Sequence, residues 1–210
     1  MVYLGYFPGE GVKSWDGSSW DSFGKGLPKD IRAEQIVRAS DGTIYLTTEY
    51  SGLFRLASGS SEWQDISNAQ FKRRSQLEGV NEYRRISAFC VDPKNPKNLY
   101  LATKHTLYSS ADAGKTWNVL KIKSHRNSYY FTSLCVADGS LYAGTSFDGI
   151  FRVGDTFSDI SKGVPQENYA GTLHFHEGVS ALKAQNGVLY SGYLFGRGFG
   201  SSADRASWKQ

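Results

Sequence analysis

Two carboxylates, Glu49 and Asp148, have the residue type and setting that acid–base chemistry at a sugar bond requires. Each lies in a short connection between the second and third strands of a repeat, and the two connections correspond to one another. Hydrolysis of a glycosidic bond uses two carboxyl groups about 5 to 9.5 Å apart, one of them with a raised pKa. Glu49 and Asp148 are therefore candidate catalytic residues, and the alternative is that they are solvated loop acids.

Basic and aromatic side chains gather in the long connections between repeats and in those between second and third strands, and both kinds of connection are expected to share one face. Guanidinium groups bind carboxylates through two hydrogen bonds, and tyrosine rings offer large contact surfaces, so this set favours an anionic protein or glycan partner. The net charge of +4 and the pI of 8.9 do not indicate the broad basic surface of a nucleic-acid-binding protein. The candidate ligand-binding residues are Arg84, Arg85, His105, His125, Arg126, Tyr129, Tyr130, His174 and Arg197.

One short segment has alternating metal-ligand types, namely His174, His176 and Glu177. A zinc site needs three or four well-placed ligands, and no cysteine or third histidine lies nearby in the sequence. We therefore expect no metal ion and no other cofactor. Cys90 and Cys135 are too few for a disulfide framework, and they are expected to be free thiols on neighbouring strands.

The elements that must position these residues recur along the chain. An apolar residue followed by tyrosine marks one strand per repeat, and these tyrosines are 42, 55, 42 and 48 residues apart. Repeats of this length with several short strands are typical of four-stranded β-propeller blades. The sequence predicts a single all-β propeller domain of about five antiparallel four-stranded blades. Their expected bounds are roughly 1–30, 31–67, 84–122, 129–162 and 178–210, with an insertion at 68–83.

An aromatic residue opens the fourth strand of each repeat, and a tight turn precedes it. The aromatic residues are predicted to fill the space between blades, because buried rings dominate core energetics. The fullest form of the turn runs from Ser110 to Trp117 and reads Ser-x-Asp-x-Gly-x-Thr-Trp. Ser14–Trp20 and Ser202–Trp208 keep the Ser, Asp and Trp in a form one residue shorter.

This turn resembles the BNR/Asp-box repeat of β-propellers, a family that includes sialidases, xyloglucan-degrading glycosidases, sortilin-type domains and a photosystem assembly factor. The resemblance implies that the box is a structural turn on the face away from the ligand. It also implies a glycosidase as one possible activity. For a sialidase, Tyr83 to Ile86 is similar to the arginine motif of the family, but Ser87 stands where that motif has proline.

The first repeat begins at its second strand, and the last one stops just after Trp208. We expect an incomplete set of blades, taken from a longer propeller; the alternatives are a loosely closed ring of five blades and self-association at the open blade edge. No apolar run approaches the ~18 residues of a membrane helix. No secretory signal is evident, so the sequence predicts no particular cellular compartment. The compartment would be extracytoplasmic if the chain is part of a secreted protein.

These observations favour a binding propeller without enzymatic activity, which recognises a protein surface or a glycan through its basic, aromatic loop face. The alternative is an Asp-box glycoside hydrolase, sialidase-like or otherwise, with Glu49 and Asp148 as its carboxylate pair. An assembly role like that of the photosystem factor is a third possibility.

Overall fold

The structure is a computed structural model. It describes residues 2–5, 12–29, 31–68, 71, 85–122, 129–169, 173–176, 178–194 and 198–210, with the backbone alone at 2–5, 167–169 and 173–176. The predicted insertion at 68–83 lies almost wholly outside these ranges, and so does Tyr83 of the sialidase-like motif.

Consecutive strands pair with one another to form small antiparallel sheets, and no α-helix occurs in the described ranges. The first sheet contains β1 (Val2–Gly5), β2 (Val12–Trp15) and β3 (Trp20–Ser22). The second contains β4 (Ala33–Arg38), β5 (Ile44–Thr48), β6 (Leu53–Leu56) and β7 (Gln64–Asp65). The third contains β8 (Ile86–Val91), β9 (Leu99–Thr103), β10 (Leu107–Ser110) and β11 (Asn118–Val119).

The remaining strands follow the same order. The fourth sheet contains β12 (Phe131–Ala137), β13 (Ser140–Thr145), β14 (Ile150–Val153) and β15 (Phe157–Asp159). A two-stranded hairpin of β16 (Gln166–Tyr169) and β17 (Leu173–His176) comes next. The last sheet contains β18 (Val179–Gln185), β19 (Val188–Tyr193) and β20 (Phe199–Ser202), and a single bridge joins Ser201 to Lys209.

The prediction of an all-β propeller built from antiparallel four-stranded blades is confirmed. The second, third and fourth sheets have the full four strands in sequential order. The hairpin of β16 and β17 was not expected, because the segment reads as a long connection between blades. Residues 173–176 read Leu-His-Phe-His, and this alternation of apolar residues and histidine along β17 is the signal that could have predicted a strand there. The single domain and its repeat bounds stay a prediction.

The chain divides into two compact units. The first takes in residues 1–86, 93–99 and 110–117. Its core is a cluster of buried apolar side chains contributed by the first two sheets and the segment between them: Val12, Ile31, Ile44, Leu46, Phe54, Leu56 and Trp63.

The second unit takes in residues 87–92, 100–109 and 118–210. It has two apolar clusters. One surrounds Ala102, Phe131 and Phe151, and the other surrounds Ile150, Leu189 and Trp208. Sheets that bury side chains on both faces read as nearly continuous apolar strands, as β5 and β13 do.

Two of the blade-opening tryptophans fasten one sheet to the preceding one. The indole Nε1 of Trp63 donates to the Phe23 carbonyl at 2.6 Å, and that of Trp208 donates to the Ile160 carbonyl at 2.8 Å. Their backbone N–H groups donate to the carbonyls of Lys25 and Lys162. The prediction that these rings occupy the space between blades therefore agrees with their burial, since each is 3 to 5% exposed.

The segments that receive the tryptophans share one short sequence. Residues 23–28 read Phe-Gly-Lys-Gly-Leu-Pro, and residues 160–165 read Ile-Ser-Lys-Gly-Val-Pro. The fourth residue of both segments is a glycine, Gly26 or Gly163, and each of these glycines has φ of +90°. A Cβ atom at either position would overlap the carbonyl oxygen of the tryptophan it faces. Only glycine allows both the backbone angle and the close approach.

The aspartates of the three turns act as caps rather than as reactive groups. Asp112 accepts hydrogen bonds from the backbone and hydroxyl of Thr116 at 2.9 and 2.6 Å and from Ser110 Oγ at 2.8 Å. Asp204 accepts from Ala206 N, Ser207 N and Ser207 Oγ. The bonds to Thr116 lower the pKa of Asp112 to about 2. Because an ionised carboxylate is the better acceptor, these turns are stabilised by charge.

Candidate functional site

The loops between the second and third strands are held by a threonine in two of the sheets. Thr48 Oγ1 donates to the Gly52 carbonyl at 2.8 Å and accepts from Ser51 N at 2.9 Å. Thr145 Oγ1 makes the corresponding bonds to the Gly149 carbonyl and Asp148 N, both at 2.9 Å. The two loops therefore have one backbone design, with three variable residues between a fixed threonine and a fixed glycine.

The shared backbone design of the two loops shows how the two candidate catalytic carboxylates correspond. Glu49 follows Thr48 directly, whereas Asp148 comes three positions after Thr145 and donates its backbone N–H to that threonine. Glu49 and Asp148 thus lie in matching loops but not at matching positions. Glu49 belongs to the first unit and Asp148 to the second.

The middle residue of each loop is an exposed aromatic ring. Tyr50 is 43% exposed and Phe147 is 49% exposed. Both loops also donate a backbone hydrogen bond to the segment before the first strand of their sheet, from Glu49 N to the Arg32 carbonyl and from Ser146 N to the Tyr130 carbonyl. The rings are consequently carried on loops whose backbone is fixed at several points.

In the first unit, charged groups near Glu49 are paired with one another. Arg32 Nη1 lies 3.0 Å from Glu49 Oε2, and Arg85 Nη2 lies 2.9 Å from Glu34 Oε1. The hydrogen bond from Arg32 holds the pKa of Glu49 below its ordinary value. The hydrogen bond to Glu34 raises the pKa of Arg85. Glu49 is therefore an acceptor or a base at neutral pH and not a proton donor.

A β-bulge places Glu34 in this arrangement. The register of β4 and β5 jumps from Ala33 to Gln35, so Glu34 drops out of the ladder. The same shift occurs at the start of β12 and of β18, at Thr132 and Ser180. Bulges re-aim side chains and are frequent beside functional sites. In this unit the bulge directs a carboxylate towards Arg85.

In the second unit, an aromatic platform forms around Tyr130, whose ring is 37% exposed. Lys104 Nζ lies 4.4 Å from the centre of the Tyr130 ring, and the His105 ring packs edge-on at 4.5 Å between centroids. A cation over a tyrosine face and an edge-on ring are both favourable contacts. The three side chains, here called the Tyr130 platform, combine an apolar face with a positive charge.

His105 is oriented by the backbone. Its Nδ1 lies 3.0 Å from the Tyr129 carbonyl oxygen. A carbonyl only accepts, so Nδ1 carries the proton in this hydrogen bond, and Nε2 of the neutral ring is left as an acceptor. The Tyr129 ring itself is buried and packs against Phe131, Phe151 and Phe157. Tyr129 therefore positions His105 through its carbonyl and stabilises the core through its ring.

The other predicted ligand-binding residues are Arg84, His125, Arg126, His174 and Arg197. Arg84, His125, Arg126 and Arg197 lie outside the described residues, and only the backbone of His174 is described, as part of β17. Within the described ranges there is no group of three or more potential metal ligands. No helix in those ranges is long and apolar enough to cross a membrane.

Several residues of the site were not predicted, namely Arg32, Glu34, Lys104 and Phe147. A signal for Phe147 was present, because residues 48–55 and 145–152 share the pattern Thr-x-aromatic-x-Gly-aliphatic-Phe-Arg. Arg85 and Glu34 are 51 residues apart in sequence. Nothing local to either residue indicates that they pair.

Solved β-propeller structures share this fold. The GH74 xyloglucanase from Xanthomonas campestris has a TM-score of 0.62 and 17% identity, over 87% of this chain and 31% of its own. The GH74 enzyme of Niastella koreensis has a TM-score of 0.63 and 15% identity, over 99% of this chain and 34% of its own.

An extracellular domain assigned to a one component system of B. thetaiotaomicron has a TM-score of 0.64 and 17% identity, over 95% of this chain and 26% of its own. The chain thus spans between a quarter and about a third of the length of these proteins. No protein-family model and no curated protein matches the sequence. At these identities the likeness shows the fold alone, a β-propeller, which is found both in GH74 enzymes and in the extracellular domain of a one component system.

Proposed function

We propose that this chain is a non-enzymatic binding propeller of the BNR/Asp-box type, which recognises a glycan through the loops that carry Tyr130 and Phe147. The observation that supports it best is the Tyr130 platform, an exposed ring held by Lys104 and His105. A flat ring that is fixed before binding loses little side-chain entropy when a ligand covers it. The apolar face of a sugar ring is a suitable partner for such a surface.

The charges of the described loops bear on the kind of glycan. Arg32 and Arg85 are each paired with a glutamate, so they add little net positive charge. Lys104, by contrast, has no carboxylate partner among the described residues and stands beside the exposed ring. We therefore propose that acidic glycans bind more tightly than neutral ones of the same backbone, by a margin that falls with added salt.

The test is a binding titration with matched neutral and acidic oligosaccharides. We expect Tyr130→Ala to weaken binding by about tenfold or more, which corresponds to ~1.4 kcal/mol. Tyr190→Ala is the matched control, because Tyr190 is similarly exposed, at 41%, but lies within β19 away from these loops. Equal affinity of Tyr130→Ala and the unaltered protein would contradict the proposal, as would equal loss in both variants.

A glycoside hydrolase is the second candidate, and its support is the fold shared with GH74 enzymes. In that case Glu49, with its lowered pKa, would serve as the base or nucleophile, and Asp148 would serve as the acid. The test is release of reducing ends from xyloglucan and other polysaccharides. Glu49→Gln would abolish turnover, whereas Glu62→Gln, which alters an exposed pair with Lys25, would not. Absence of turnover in the unaltered protein would reject this candidate.

A further inference from the structure

We propose that a cavity at the opposite end of the fourth sheet from these loops is a second binding site, and that it takes a short neutral saccharide. The cavity has a volume of about 430 Å³, within the range of small-molecule sites. Its wall combines Tyr100 and Leu120 of the third sheet with Arg152, Asp155, Thr156 and Ser158 of the fourth. This site goes beyond the function proposed for the Tyr130 platform.

The fourth sheet separates the two sites. Ser140, at the start of β13, lines the cavity, and Phe147 follows the other end of that strand. A six-residue strand spans roughly 17 to 20 Å, so one small ligand cannot contact both ends. The two sites can therefore be tested independently.

Two turns at the edge of the cavity have a glycine with free space beside it, Gly139 in one and Gly154 in the other. Gly139 has φ of +74°, and a Cβ atom built on it would meet nothing within 4 Å. Gly154 lies in the opposite turn, and the nearest atom to a Cβ there would be the Thr156 carbonyl oxygen at 3.7 Å. A larger side chain at Gly154 would consequently project into space that is free rather than into the packed sheet.

The polar groups of the wall are suited to a ligand with many hydroxyls. Arg152 Nε donates to Ser140 Oγ at 3.1 Å, which fixes the guanidinium group and leaves its terminal N–H groups without a partner among the described residues. The carboxylate of Asp155 and the hydroxyls of Tyr100 and Ser158 also have no hydrogen-bond partner in that part of the chain. The wall thus offers donors and acceptors in similar number.

The balance of charge selects a neutral ligand. An anion attracted by Arg152 would also meet the carboxylate of Asp155, and a cation would meet Arg152, whereas hydroxyl groups can both donate and accept. Leu120, Val153 and the ring of Tyr100 provide an apolar surface for the C–H face of a sugar ring. These properties together favour a mono- or disaccharide over a charged metabolite.

The experiment is an NMR titration of the protein with cellobiose, maltose and xylose, with free glutamate as a charged competitor. We expect millimolar binding of at least one saccharide, with shifts at the amides of Gly139 and Gly154. Gly154→Leu and Arg152→Gln should each weaken it by about tenfold or more. Gly24→Leu is the matched control, because a Cβ there would meet nothing closer than 4.0 Å.

The outcomes separate this proposal from the previous one. Tyr130→Ala should leave saccharide binding at the cavity unchanged, and Gly154→Leu should leave glycan binding at the loop face unchanged. The proposal fails if none of the saccharides binds, or if Gly154→Leu binds them as well as Gly24→Leu does. The proposal that the ligand is neutral is wrong if glutamate displaces the saccharides or binds in their place.

Discussion

The indole hydrogen bond of Trp63 offers the sharpest test of how the sheets are fastened. Trp63 and Trp117 open the fourth strands of consecutive sheets, and each is 3% exposed. Their indole N–H groups differ, because Trp63 Nε1 donates to the Phe23 carbonyl at 2.6 Å, whereas Trp117 Nε1 has no partner among the described residues. The substitution Trp→Phe at both positions therefore compares the same loss of ring area with and without a hydrogen bond.

At Trp63 the change removes the hydrogen bond to the half-buried Phe23 carbonyl, which costs about 0.5–1.5 kcal/mol in addition to lost packing. At Trp117 it removes an unpaired buried donor, and this partly offsets the lost packing. We expect Trp63→Phe to be less stable than Trp117→Phe by about 1–2 kcal/mol, or ~2–8 °C in Tm for a chain of this size.

The assay is thermal and denaturant unfolding of both variants, followed by the same spectroscopic signal. Trp208→Phe is a second case with an indole bond of 2.8 Å, to the Ile160 carbonyl, and should resemble Trp63→Phe. If Trp117→Phe proves as destabilising as Trp63→Phe, the indole bonds do not fasten the sheets, and the stabilisation comes from ring burial alone.

Three further predictions concern the scaffold. Gly26→Ala should lower stability by about 1–3 kcal/mol more than Gly59→Ala, because both glycines have positive φ but only the first faces a carbonyl of the next sheet. The pKa of Asp112 is about 2 when folded, against an ordinary 3.8, so its stabilisation is present above pH 4 and lost as the pH falls towards 2; Asp112→Asn should flatten the dependence of Tm on pH over that range. Burial raises the pKa of Cys135 to about 12, so this thiol should react with a thiol reagent only on unfolding, and rapid labelling of Cys135 in the native protein would contradict this.

The fold was readable from the sequence because its signals are local. The apolar–tyrosine strands, the Asp138–Gly139 and Asn186–Gly187 turns and the tryptophans each specify a short stretch of backbone. Asp138 and Asn186 do take the positive φ that such turns require, at 47° and 49°. Local preference and final structure agree at these points, which is what makes a repeat sequence informative.

The site was less readable because its geometry depends on pairs that are distant in sequence. Arg85 was predicted to bind an anionic ligand, and the structure places it against Glu34 of another sheet, where a bulge directs the carboxylate. Tyr129 and Tyr130 are adjacent and identical in type, yet one ring is buried and the other exposed. A strand exposes alternate residues, but which of two neighbours faces the core depends on register and not on residue type.

At both ends of a blade, a side-chain oxygen forms hydrogen bonds with the backbone of the connection. The two ends differ in which residues of the connection can vary. At the turns, the carboxylate of Asp112 replaces missing backbone partners, and the loop has little freedom beyond that cap. At the loops between second and third strands, a threonine hydroxyl bonds to backbone groups of the loop instead. These bonds do not use the side chains of the three residues between the threonine and the glycine. Residues 49–51 read Glu-Tyr-Ser and residues 146–148 read Ser-Phe-Asp, on the same backbone bonds. Because the bonds from the threonine use only backbone atoms of the loop, the loop side chains can differ from blade to blade, and both loops nevertheless have an exposed aromatic residue at the middle position.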